Sequence, residues 1–450
     1  MITARNLIDR HGIACFAIIA IALGIGAALA LEAHHPPSLL DTANKLGPAA
    51  QSLIEGRGLA ICYGAGEYAT CFHAERMPVA PLVIAALHLL FHDHRFPAAL
   101  LKTMLFLLPV LLMFVLAWRN SQQSPRWIRH AVFGIFFAAL VLPPTLDLMA
   151  NLNFEEGYLY SFLGLAIALL LFADQARRRP LLWATSLTLC CAISYLTKSS
   201  MLPVAAFLVV SAAAYAIRSL GRPPLAAYIL LCFAAVPLGW GLYAQHSSGR
   251  FTLGTSLDGV NLYKGNNPWF AAGYPAFRGA SLDDFEALLF AGQFSLKDEW
   301  SQNDFGLAAS KAFLRNHPAE AMSNTLRKAS VFFLGVRNSS DETYNPLVEV
   351  GFTAGLVIFR VILLAAIALA IKQLLQPDAR RFPAFIFLGS VCCVALPYVA
   401  GFALTRHATV LILPGAAYLA RVLGDEAPTG HRHVKSNETP SLSKLGNRSA

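Results

Sequence analysis

Asp41 stands just past an apolar run, in "SLLDTANKL". A carboxylate beside a low-dielectric region tends towards a raised pKa and can act as a base. A helix N-cap, with Thr42 beside it, fits the same residues. Glu75 and Arg76 sit in "HAERMPVAPL", directly before another apolar segment, where the pair either joins a site or anchors an interface. Glu155 and Glu156 open "EEGYLYSF". Carboxylates at that depth are costly unless they face water or a partner, or they favour the positive end of a helix macrodipole. Lys198, in "YLTKSS", occupies a turn too short to expect a cation; it either binds an anion or snorkels towards lipid. Arg406 and His407 begin "RHATVLILP", and Arg406 offers a planar fork to phosphate oxygens or a headgroup anchor. Arg360 interrupts "LVIFRVILL"; it is a functional candidate or marks a displaced span. Gathered around one hydrated cavity, such carboxylates and cations would suit a lipid-linked phosphate. A base would activate an acceptor hydroxyl, and the cations would stabilise the departing phosphate.

The elements that position these groups follow from composition. The chain has 450 residues, 56% of them hydrophobic and 14% charged. Soluble domains carry about 25% charged residues, so a bilayer is the expected solvent for the excess apolar surface. Apolar runs at 15–31, 100–118, 131–149, 159–173, 181–196, 202–217, 225–243, 352–371, 382–400 and 408–422 predict about ten membrane spans. The first run has Arg5 and Arg10 before it and small residues at 28–30, as a signal peptide does, but its length reads as a retained anchor. Lys and Arg concentrate in alternate connectors, such as Arg177, Arg178 and Arg179, which places both termini in the cytoplasm. The net charge of +9 is then a topogenic signal, and no nucleic-acid partner is expected.

This predicts one all-α membrane domain over 1–423, with outer-face insertions at about 32–96 and 244–350, and a disordered cytoplasmic tail over 424–450. Within the insertions, helices are expected at 39–54 with a break at Gly47-Pro48, at 78–91, at 282–290 and at 305–334. Six cysteines lie in apolar runs and read as core residues, whereas Cys62 and Cys71 share an outer loop and are a disulfide candidate.

Taken in order, "AAQSLIEGRGL" after Asp41, "ERMPVAPL", "FEEGYLYSFLGLAIALLLF", "LTKSSMLP", "GVNLYKGNNPWFAAGYP" and "RHATVLILPGAAYLA" resemble the membrane-embedded GT-C glycosyltransferases, in particular the protein-mannosyltransferase and lipid A aminoarabinose-transferase branch. The resemblance covers about residues 10–420 and implies a GT-C-like fold. It implies sugar transfer with inversion from a polyprenyl-phosphate donor to an envelope acceptor, at the periplasmic face of a bacterial inner membrane. Asp41 then matches the first-loop catalytic acid, with Glu75 and Glu156 as further acidic candidates. Arg76, Lys198, Lys264 and Arg406 would hold the donor phosphate. The segment 259–275 would roof the cavity, with Asn261, Asn266, Asn267 and His407 on sugar or acceptor hydroxyls and Tyr263 and Trp269 stacking on a sugar face or sitting in the interfacial belt. No cofactor is certain, and a divalent metal is left open. A transporter or flippase of a lipid-linked or anionic substrate is the alternative. A structural subunit of an envelope complex is a third.

Overall fold

The computed structural model describes residues 4–34, 46–63, 70–92, 95–150, 157–270, 299–335, 346–376 and 381–425. Asp41, Glu155, Glu156, the helix expected at 282–290 and residues 426–450 of the tail lie outside them. The elements in chain order are α1 (Ala4–His34), α2 (Leu46–Ile54), β1 (Ile61–Tyr63), β2 (Thr70–Phe72), α3 (Val79–Phe91), α4 (Arg95–Asn120), α5 (Arg126–Val141), α6 (Pro143–Ala150) and α7 (Tyr160–Leu171). There follow α8 (Pro180–Thr197), α9 (Leu202–Arg218), α10 (Pro223–Ser248), α11 (Asp258–Lys264), α12 (Ser301–Asn316), α13 (Pro318–Leu334), α14 (Pro346–Leu375), α15 (Arg381–Ala400) and α16 (Ile412–Asp425).

Among the described residues, eight helical segments are long and apolar enough to cross a membrane: His11–Leu29, Phe96–Asn120, Pro180–Thr197, Ser199–Arg218, Pro223–Ser248, Val350–Leu375, Arg381–Ala400 and Thr405–Asp425. The chain is an α-helical, multi-pass membrane protein. Two of the ten expected spans take other forms. The run at 131–149 divides at Leu142, which is extended (φ −58°, ψ 131°) because Pro143 crowds the residue before it out of the helical region. Pro143 then starts α6, where its missing N–H costs nothing. The run at 159–173 yields only the 12-residue α7. At 1.5 Å per residue α7 is about 18 Å long, short of a hydrocarbon core of about 30 Å.

The same proline effect corrects the helix expected at 305–334. His317 (φ −128°, ψ 55°) separates α12 from α13, and Pro318 opens the second helix. At the other insertion, Gly47-Pro48 falls in the first turn of α2 and does not break it.

The core is built on aromatic stacking and small residues. Phe16 of α1 lies flat on Phe114 of α4 with ring centroids 4.1 Å apart. Phe133 and Phe136 of α5 meet that pair edge-on. Such arrangements suit the quadrupoles of the rings.

The segment around the β1–β2 hairpin is hydrogen-bonded to the segment that follows α10. β1 and β2 pair antiparallel with Cys62 opposite Cys71, and a disulfide joins the two, as the shared loop led one to expect. The chain beyond the hairpin docks on the second insertion. Glu299 accepts hydrogen bonds from the Ala74 N–H at 2.6 Å, the His73 N–H at 2.9 Å and the Ser256 hydroxyl at 3.1 Å, while the Ser256 N–H donates to the Ala74 carbonyl at 2.9 Å. Glu299 is only 9% exposed, and its three donors supply what burial of a carboxylate requires. α11 and α12 cross at Gly259 and Gly306. A Cβ on either glycine would run into the backbone of the other helix, so the close approach depends on both.

Candidate functional site

The site is assembled where α8 turns into α9 and where α15 gives way to α16. Hydrogen bonds from the Thr197 hydroxyl to the Ile193 carbonyl (2.7 Å) and from the Lys198 N–H to the Ser194 carbonyl (3.2 Å) close α8. Lys198 itself is extended (φ −152°, ψ 124°), and a short 3-10 turn over Ser199–Met201 leads into α9. The Ser200 hydroxyl and the Tyr398 hydroxyl share a hydrogen bond of 3.3 Å.

At the second corner, the Gly401 N–H returns to the Pro397 carbonyl at 2.8 Å and ends α15. A 3-10 turn then runs over Thr405–Leu411. Its start is held by a reciprocal pair: the Leu404 N–H donates to His407 Nδ1 and the His407 N–H donates to the Leu404 carbonyl, each at 3.0 Å. An accepting Nδ1 leaves the proton of the neutral imidazole on Nε2. The His407 ring stacks on Tyr398, with centroids 4.0 Å apart. Through the ring and hydroxyl of Tyr398, the turn that carries Lys198 is packed against the turn that carries Arg406 and His407. Three of the expected site residues, from turns more than 200 positions apart in the chain, are therefore brought together.

Arg360 of α14 fixes the same corner. It is 4% exposed, donating from Nε to the Gly335 carbonyl (2.9 Å) and from Nη2 to the Thr405 carbonyl (2.7 Å). Its intramembrane charge thus ties the end of α13 to the residue before Arg406.

The stretch 259–270 lies on this corner, but not as an open loop. Its first part is α11, and its glycine and asparagines are docking groups. Gly265 meets the Gly401 carbonyl so closely that any Cβ would collide with it. Asn266 Nδ2 donates to the Ala400 carbonyl (2.7 Å) and the Leu262 carbonyl (2.8 Å), and its Oδ1 accepts from Lys328 Nζ (3.1 Å). Asn267 Nδ2 donates to the Tyr263 and Lys264 carbonyls, at 2.8 and 3.0 Å, and its Oδ1 accepts from the Trp269 N–H at 3.0 Å. Both asparagines are buried. This corrects their expected role, because amides engaged with the chain's own backbone do not present themselves to sugar hydroxyls. Tyr263 is buried and perpendicular to the Phe305 ring, with centroids 5.6 Å apart, and burial pushes its phenol up from the ordinary range. Lys264, expected to meet the donor phosphate, is buried at the end of α11. Asn261 and Trp269 keep exposed side chains.

Four groups outside the sequence expectation complete the region. Lys328 of α13 is fully buried and donates to the Gly265, Ala400 and Gly401 carbonyls at 3.0–3.1 Å as well as to Asn266. Burial lowers its pKa to about 8. Asp258 opens α11 and accepts from the Thr255 N–H (3.1 Å), the Thr255 hydroxyl (2.9 Å) and the Ser199 hydroxyl (3.2 Å), which ties α11 to the residue after Lys198. Crowding around its carboxyl oxygens pushes Asp258 up from the ordinary carboxylate range, against the pull of those donors, although the residue keeps an exposed edge. Glu299 holds the backbone beside Glu75. Glu75 is itself 3% exposed, and its neighbour Arg76 is half-buried. Lys102 of α4 is 4% exposed with its Nζ 5.1 Å from the centre of the Tyr158 ring. A lysine inside the apolar run at 100–118 was the one signal that could have marked it.

Among the described residues, no three His, Cys, Asp or Glu side chains gather in a way that could hold a metal ion. The fold and the site define a multi-pass α-helical membrane protein in which the turns carrying Lys198 and Arg406 are packed together. Comparison with protein-family models, curated proteins and solved structures finds no match.

Proposed function

We propose that this protein is a membrane-embedded glycosyltransferase of GT-C type, taking sugar from a polyprenyl-phosphate donor to an envelope acceptor at the periplasmic face of a bacterial inner membrane, with both termini in the cytoplasm. The observation that supports the reading is that Tyr398 holds the turn carrying Lys198 against the turn carrying Arg406 and His407. Two cations at one corner suit a phosphate whose charge grows as it departs.

In the proposed reaction the acceptor oxygen forms a bond to the anomeric carbon as the bond from that carbon to the phosphate oxygen breaks. The acceptor proton passes to Asp41, and polyprenyl phosphate leaves with the electron pair. Lys198 and Arg406 stabilise that leaving group, the imidazole of His407 donates from Nε2, and Trp269 and Asn261 contact sugar or acceptor. Asp258 positions the Lys198 turn. The test is Asp41→Asn in a protein that still inserts and keeps its thermal midpoint. Loss of transfer is expected, and full retained transfer removes Asp41 from the mechanism. Passage of an intact glycolipid across the bilayer without bond cleavage would favour a flippase.

A further inference from the structure

The helices that form the site also frame a cavity at their other ends. α9 leaves the Lys198 turn and ends at Arg218, and α15 begins at Arg381 and ends at the site. Between these far ends and the end of α7 lies a cavity of about 580 Å³, within the range of roughly 300–1,000 Å³ typical of ligand sites. Its walls are apolar. Phe207 of α9 and Phe385 of α15 stand with centroids 5.4 Å apart at its inner end, and Tyr215 stacks on Phe382 at 5.3 Å near its mouth. Phe207 is seated against Gly389, where a Cβ would displace the ring. Val210 is 59% and Phe385 47% exposed, so the cavity opens sideways on the surface that faces lipid. Phe207 and Arg218 are eleven residues apart on α9, which is about 16 Å along the axis at 1.5 Å per residue. The cavity is therefore a groove running parallel to the lipid chains.

Its mouth carries one arginine with no acidic partner among the described residues. Asp174, an acidic lining residue, is paired with Arg421 at 2.8 Å. Arg421 is further engaged by Asn120 at 2.9 Å and Asp425 at 3.1 Å. Arg218 is exposed and makes no hydrogen bond or ion pair among the described residues. The Tyr215 hydroxyl is buried without a well-formed hydrogen bond, with the charges of Asp174, Arg177 and Arg421 around it. The first turn of α15 also contributes Phe382 and Pro383 to the lining.

We propose that this groove holds one acyl chain of an anionic phospholipid, with the lipid phosphate between Arg218 and the Tyr215 hydroxyl. The apolar walls and sideways opening accept a chain from the bilayer, and the unpaired Arg218 selects a negative headgroup. The site is independent of the proposed sugar transfer.

Native mass spectrometry of the full chain, offered phosphatidylglycerol and phosphatidylcholine with the same acyl chains, tests it. The wild type is expected to retain one phosphatidylglycerol with at least a tenfold preference. Arg218→Gln should abolish the preference while lipid is still retained. Ala214→Trp, which fills the groove, should lose both lipids at an unchanged thermal midpoint, and Val210→Trp serves if that variant does not fold. Excess inorganic phosphate should leave the lipid in place. Equal retention of the two lipids by the wild type, retention unaffected by a groove-filling variant, or displacement by inorganic phosphate would each overturn the proposal.

Discussion

The His407 imidazole lies on the Tyr398 ring with centroids 4.0 Å apart, and the hydroxyl of that same tyrosine is bonded to Ser200, two residues past Lys198. Through this contact the turn that carries Lys198 and the turn that carries Arg406 are held against each other. Removing the Tyr398 ring should loosen both cations at once. Tyr398→Ala is expected to lower transfer about tenfold or more, whereas Tyr398→Phe, which keeps the stack and loses only the hydroxyl, should retain most activity. Initial rates at saturating acceptor measure the difference.

Lys198→Gln and Arg406→Gln are each expected to reduce kcat by about 10²-fold, the usual effect of removing one stabilising group from a developing oxyanion. The double variant should fall by less than the product of the two, since both groups act on one phosphate. Steady-state kinetics on the three proteins check this.

Lys328 gives a stability prediction with a defined sign. Lys328→Met leaves three backbone carbonyls and the Asn266 Oδ1 without their shared donor and should cost about 3 kcal/mol. Burial brings the folded pKa down from 10.5 to about 8. The folded chain thus releases this proton before the unfolded chain does. Between about pH 8 and 10.5 the unfolded chain binds more protons, so the lysine makes stability rise with pH across that window, while below it the buried charge costs stability. The thermal midpoint of the wild type minus that of Lys328→Met should increase from pH 8 to pH 10.5.

Within the polar stretch, two classes of variant should separate. Asn266→Ala and Asn267→Ala leave buried backbone carbonyls without donors and should each cost about 1–3 kcal/mol of stability. Trp269→Ala and Asn261→Ala, with exposed side chains, should leave the thermal midpoint within about a degree and raise KM. Thermal unfolding paired with kinetics on the same preparations tests the division.

The disulfide closes a loop with a sequence separation of 9. On the chain-entropy account, its removal by Cys62→Ser with Cys71→Ser should cost about 2–3 kcal/mol. The expected outcome is a lower thermal midpoint with the α-helical signal unchanged.

How much of this was legible depended on whether the physics was local. Long apolar runs announced the spanning helices, since length and hydropathy are properties of one segment. The breaks at Leu142 and His317 were equally local, because each precedes a proline, yet continuous hydropathy concealed the first and continuous amphipathicity the second. A cation in a short turn marked Lys198, and a fork at the start of an apolar run marked Arg406. Asn266 misled because its partners at Ala400 and Lys328 lie far along the chain, whereas Asn267 is taken up by Tyr263, Lys264 and Trp269 close by. Polar side chains beside glycine and proline look the same whether they serve a ligand or a distant carbonyl. Lys328 gave no sign of burial within the helix expected at 305–334; its ammonium gains four oxygens only where α13 meets both the Ala400–Gly401 corner and Gly265–Asn266. Asp258 gave no signal, as its tie to Ser199 depends on how α11 docks.

The most direct test follows a polyprenyl-phosphate sugar, labelled in the lipid, in proteoliposomes containing the purified chain and an envelope acceptor extract. The proposed chemistry predicts that the wild type releases free polyprenyl phosphate in step with sugar transfer, and that Lys198→Gln together with Arg406→Gln reduces release to background. Labelled donor that stays intact while acceptor is present, or release undiminished in the double variant, would contradict it.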